Sequence, residues 1–200
     1  MFSSFNLKGY FYNMNTFTAN FLRFPKKLWY LLFFSFLIRV LVFFRFEPWN
    51  AAVIKHQILI FDSMGYHQLA LCIKNYFSFC GDAFRTPAYP FFLSVIYSLF
   101  GNDPYIVLVV QIFLNLISIV LMYKIGIELF NEKIGFIAAL LFSFDLHHII
   151  FIFQILTETI YTTIFLLALL FYIKGIKRNE FKYFVLTGLI YGVSTLIRPI

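Results

Sequence analysis

The stretch YIVLVVQIFLNLISIVLMY, residues 105–123, runs through nineteen residues without one formal charge and is closed by Lys124. A helix needs about 20 largely apolar residues to cross the hydrocarbon core of a bilayer, and this run supplies them. Four further runs repeat the pattern on either side of it. One covers residues 28–46, behind Arg23, Lys26 and Lys27. Another starts after Lys133 and reaches Phe144, or Phe153 if Asp145, His147 and His148 sit in a cavity. The last two cover residues 155–173 and 183–197. The expectation is an all-α polytopic transmembrane helix bundle of about five spans.

Composition supports that expectation. The 200 residues are 62% hydrophobic and 12% charged, against roughly 45–50% and 25% in a soluble domain. A water-soluble fold of this size has too little interior to hide so much apolar side chain. The net charge of +7 does not point to nucleic acid, because the basic residues stand in short clusters between apolar runs, where they orient a membrane protein. The thirty Phe and thirteen Tyr push the same way, and no aromatic stripe is read as a cofactor or base-stacking site.

A cytoplasmic N-terminus puts Arg23, Lys26, Lys27, Lys124, Lys133, Lys174, Lys177, Arg178 and Lys182 inside, which is nine of the sixteen Lys and Arg. Residues 1–27 are then a cytoplasmic segment that lacks the pattern of a cleaved secretory signal. Residues 28–200 form the membrane domain, in the plasma membrane, with a large outer loop over residues 47–103. That loop is too long for a plain connection. Helical spacing over residues 51–61 and 64–77, and an apolar stretch too short to span at 90–100, predict helices lying on the membrane surface. The sequence stops directly after Arg198 and Pro199, which suggests a fragment. Cys72 and Cys80 fall in the outer loop, where oxidation is permitted. On one continuous helix, however, eight residues span about 12 Å at ~1.5 Å each, too far for a disulfide, so two unpaired thiols are expected.

Ionisable residues within or against a bilayer are costly and mark functional candidates. Arg39, Asp62, Glu158 and Arg198 stand out. Arg39 lies roughly 10 Å below the outer end of its span and either snorkels to the headgroups or meets a lipid phosphate. Asp62 shares a helical face with Tyr66 and Ala70 and is either an N-cap or a reactive carboxylate. Arg85, in the turn Gly81-Asp82-Ala83-Phe84-Arg85-Thr86-Pro87-Ala88-Tyr89-Pro90, either grips a phosphate or anchors the interface. Gln111 and Asn115, one turn apart, are expected to hydrogen-bond neighbouring helices. His147 and His148 read as a solvated or cavity-lining pair, since a metal would need further ligands from Asp145 or Glu158.

The order of these features resembles a known family. An aspartate follows the first span with Tyr66 four residues on. Then come Gly81, Arg85-x-Pro87-x-Tyr89-Pro90, Phe100-Gly101, Gln111, Thr157-Glu158, Gly188 and Arg198-Pro199. This is similar to the N-terminal half of the GT-C glycosyltransferases of the protein-mannosyltransferase and aminoarabinose-transferase-like group, over about residues 28–200. The resemblance implies transfer of a sugar from a polyprenyl-phosphate carrier to a glycan, lipid or protein acceptor of the cell envelope, on the non-cytoplasmic face and with inversion. Asp62 matches the acidic residue assigned as general base. Arg85 matches a basic position near the carrier phosphate, with Arg39, Tyr66, Tyr89, Glu158 and Arg198 as further substrate-binding positions. The family often has Asp-Glu where this chain has Asp62-Ser63, and the single carboxylate weakens a metal site. The resemblance assigns no definite cofactor, and a divalent metal stays an open alternative. Two rival readings are a transporter subunit, against which stands the lack of an internal repeat, and a non-catalytic lipid-binding protein, which would have no need of Asp62.

Overall fold

The computed structural model describes residues 24–198 apart from Ala83. Most of the expected cytoplasmic segment, residues 1–23, lies outside the described residues, as do Pro199 and Ile200. The described residues form an all-α polytopic bundle without a strand.

Helix α1, Lys26–Phe46, starts after Pro25 and ends where Glu47 takes a left-handed conformation and its N–H closes on the Phe43 carbonyl. Leu28, Leu31, Ser35 and Arg39 form its buried stripe, while Trp29, Phe33, Phe34, Leu37, Leu41 and Phe44 are exposed. Where the solvent is lipid, such exposed apolar side chains are in their proper medium. A short helix α2, Ala51–Val53, is capped by the Asn50 side chain and passes into a wider π-type turn over Ile54–Ile58. Helices α3, Asp62–Tyr76, and α4, Ala88–Phe100, complete the segment that follows α1.

The central helix is α5, Pro104–Leu129. Its proline stands in the first turn, where the missing N–H costs nothing. At ~1.5 Å per residue its 26 residues reach about 39 Å, more than the bilayer core requires. Helix α6, Glu132–Ser143, returns along it. Gly126 and Gly135 face each other so closely that a Cβ on either would strike the other helix's backbone, which sets the separation of α5 and α6. Helix α7, Leu146–Ile152, follows a 54° bend. Asp145 causes the break, its carboxylate accepting the His147 N–H at 2.8 Å and starting a new helix. Helices α8, Glu158–Arg178, and α9, Phe181–Ile197, form an antiparallel hairpin through a left-handed Asn179.

By length and composition, α1, α5 and α8 can each cross a membrane, and the bent pair α6–α7 can make a fourth span. The stretch expected as a fifth span forms α9, whose 17 residues make a shorter apolar helix that falls below the length of these spans. The hydrophobic interior divides into two clusters along the bundle. One gathers Ile58, Tyr89, Val107, Ile152, Ile155, Ile160 and Ile197, and the other Leu28, Leu31, Ile119, Tyr123, Ala139, Leu170 and Ile173. The first therefore lies at the end shared by the C-termini of α1 and α9 and the N-termini of α5 and α8. The short helices α2, α3 and α4 dock at that end.

Two sequence expectations need correction here. Cys72 and Cys80 form a disulfide, with Cα atoms 6.1 Å apart. The continuous helix assumed between them does not exist, because Phe77 turns left-handed at φ 51° and ends α3, and the chain folds back. Asp62 is also not an N-cap. It is the first residue of α3, Phe61 occupies the cap position with φ 46°, and no side chain caps the helix.

Candidate functional site

The start of α3, the turn before α4, the start of α8 and the end of α9 meet above the first core cluster. Each brings at least one polar group. Asp82 sets the turn, accepting the backbone N–H of Phe84 at 2.8 Å and of Arg85 at 3.1 Å through one carboxylate oxygen. Its other oxygen takes the Arg85 guanidinium at 2.8 Å. These three donors, the Arg85 N–H foremost, hold the Asp82 carboxyl below the ordinary carboxylate range. The same hydrogen bond from Arg85 to Asp82 holds the guanidinium more firmly protonated.

Arg85 also reaches α3, where its second terminal nitrogen lies 3.3 Å from Asp62. Its guanidinium sits 5.5 Å from the centre of the Tyr66 ring. The Tyr66 ring in turn meets Tyr89 edge to face at 5.0 Å. Arg198, at the end of α9, pairs with Glu158, at the start of α8, at 3.2 Å. The Thr86 hydroxyl, beside Arg85, donates to the Ile197 carbonyl at 2.7 Å and ties the turn to the end of α9.

The Tyr66 hydroxyl feels the charges of both ion pairs. Burial raises its hydroxyl pKa first, Asp62 and Glu158 raise it further, and Arg85 and Arg198 oppose them. One phenol thus senses both acids and both arginines, which places all four in a single electrostatic neighbourhood. Tyr89 beneath it is fully buried, and burial pushes its hydroxyl well up, with Tyr97, Glu158 and Tyr66 adding to the effect. Three buried polar atoms here have no hydrogen-bond partner: Arg85 Nε, the Tyr89 hydroxyl and Glu158 Oε2. Buried polar groups are rarely left so, and three in one place are suited to a polar ligand.

Of the residues singled out in the sequence, Asp62, Tyr66, Arg85, Tyr89, Glu158 and Arg198 converge at this end. Arg39 does not join them, and its burial overturns the snorkelling reading. It is fully buried, donates to Asn115 Oδ1 at 2.6 and 2.9 Å, and also reaches the carbonyls of Ser35 at 2.9 Å and Ser143 at 3.1 Å. The guanidinium clamps helices instead of snorkelling to the headgroups. Gln111 behaves as expected, its amide donating to the carbonyls of Ile152 and Gln154, both at 2.8 Å, where α7 ends. His147 and His148 pack on Phe151 and Phe142, each with ring centres 4.4 Å apart. Among the described residues no group of three His, Cys, Asp or Glu side chains could hold a metal ion. Sequence reasoning gave no role to Asp82, Thr86 and Gly65. An acid three residues before an arginine in a turn is a signal that could have found Asp82. For Gly65 the sequence offers only a glycine inside a helix.

The fold and this polar end together define a multi-pass membrane protein with a charged site above its apolar core. The profile of the dolichyl-phosphate-mannose-protein mannosyltransferase family matches residues 85–200. That is more than half of the chain, so the protein belongs to this family and is a membrane glycosyltransferase of the GT-C type. Arg85, Tyr89, Glu158 and Arg198 fall inside the matched region, and Asp62 and Tyr66 precede it. No curated protein and no solved structure matches the chain significantly.

Proposed function

We propose that this chain transfers a sugar from a polyprenyl-phosphate carrier to a hydroxyl-bearing acceptor of the cell envelope, at the non-cytoplasmic face of the plasma membrane. The observation that carries the reading is the Asp62–Arg85 contact at 3.3 Å, with the Glu158–Arg198 pair near enough for both pairs to act on the Tyr66 hydroxyl. Asp62 is 67% exposed at its side chain and Arg85 22%, so the acid is open to an acceptor while the guanidinium lies deeper. In this reading the acceptor oxygen forms a bond to the anomeric carbon as the bond from that carbon to the phosphate oxygen breaks. The acceptor proton passes to Asp62. The departing phosphate carries its charge against Arg85. Donor binding also loosens the Asp62–Arg85 contact, because the phosphate competes for the same N–H groups and leaves the carboxylate free to accept a proton.

The test is Asp62→Asn in the full chain, purified in detergent with a polyprenyl-phosphate sugar and an acceptor. The amide keeps the shape but cannot take a proton, so transfer should fall by about 10²–10⁴-fold, while donor binding stays close to wild type. Transfer at the wild-type rate would remove Asp62 as the base.

A further inference from the structure

Gly65 lies one turn into α3, between Asp62 and Tyr66, and the Arg85 guanidinium rests directly on it. A Cβ built at this position would collide with the guanidinium carbon and both terminal nitrogens, and with nothing else so near. Gly65 has no positive φ and sits in the interior of a regular helix, where glycine is a poor helix former compared with alanine. Neither backbone conformation nor helix formation therefore calls for glycine. What calls for it is the flat group lying on top.

We infer that Gly65 is a positioning residue, the floor of a seat in α3 that fixes Arg85 in its site. The walls are the Asp62 carboxylate at 3.3 Å and the Tyr66 ring at 5.5 Å, and Asp82 at 2.8 Å closes the fourth side. A planar guanidinium can lie against a helix only where the helix has no side chain. The seat holds two of its three nitrogens on carboxylates and leaves Nε–H, buried and unpartnered, for a ligand. The function of the seat rests on the reading of Arg85 as the phosphate-binding group, but its existence does not.

The experiment uses Gly65→Ala in the full-length protein, with three readouts. Arginine modification by phenylglyoxal, mapped to Arg85 by mass spectrometry, should speed up severalfold, because the displaced guanidinium moves toward solvent. The thermal midpoint should stay the same or rise, since alanine favours the helix and the atoms it meets are the far end of a flexible side chain. KM for the polyprenyl-phosphate sugar should rise roughly tenfold or more, as expected when a hydrogen bond to a charged group is misplaced, with a smaller change in kcat. In an Arg85→Ala background the same change should have no further effect on KM. Unchanged Arg85 reactivity, a lowered midpoint or failure to fold would overturn the seat, the latter two by showing Gly65 to be a packing glycine. Faster modification with an unchanged KM would keep the seat and sink the phosphate role of Arg85.

Discussion

Arg39 and Asn115, 76 residues apart in sequence, meet inside the bundle, where one amide oxygen accepts two guanidinium N–H groups at 2.6 and 2.9 Å. The same guanidinium donates to the carbonyl of Ser143, the last residue of α6. A single charged side chain of α1 thus joins α5 and satisfies one of the carbonyls freed where α6 breaks.

Removing one partner of a buried charge should be worse than removing both. Asn115→Leu should destabilise the detergent-solubilised protein by about 2–3 kcal/mol, the value of hydrogen bonds to a charged group. Arg39→Leu combined with Asn115→Leu should recover much of that. Thermal unfolding of the two single variants and the double variant measures the difference. A double variant less stable than Asn115→Leu would contradict the clamp.

Asp82 ties the acid stability of the site to the turn that carries Arg85. Its pKa is lower folded than unfolded, so its contribution is complete above the unfolded value of about 3.9 and is lost as pH falls through the folded value. Asp82→Asn should therefore lower the thermal midpoint at pH 7. The gap from wild type should close as the solution is acidified below about pH 4. A gap independent of pH would show that Asp82 acts through packing alone.

Orientation in the membrane can be read with one new thiol. Asn102 is exposed at the end of α4, where its side chain accepts from Lys74 at 2.6 Å. With the proposed cytoplasmic N-terminus, Asn102→Cys should be labelled by an impermeant maleimide in intact cells, against a Cys72→Ser, Cys80→Ser background. Labelling only after lysis would reverse the topology.

The spans at 28–46, 105–123 and 155–173 were legible because nothing but length and apolar character decides them. The break after Ser143 was half legible, since Asp145 in an apolar run has to be either buried in a cavity or used as a cap, and it caps α7. The polar end was legible residue by residue only through family resemblance. Spacing alone says nothing about Glu158 meeting Arg198 across 40 residues, or Thr86 meeting Ile197 across 111. The Cys72–Cys80 bond was missed because Phe77 ends its helix in a left-handed conformation, a role usually taken by glycine or asparagine. Arg39 was misjudged because its depth is visible in sequence and its partner is not.

The Cys72–Cys80 bond closes between residues eight apart, and both precede the α5 span in the chain. During synthesis the outer segment can thus be stapled on its own before α5, α8 and α9 exist. The bond sits between α3, which carries Asp62, and the turn that carries Arg85, so two halves of the polar end are joined before the helices beneath them assemble. With the proposed cytoplasmic N-terminus, a chain threaded the opposite way would hold these thiols in a reducing compartment. It would be left without the staple, and a non-reducing gel would distinguish it from its correctly inserted sibling.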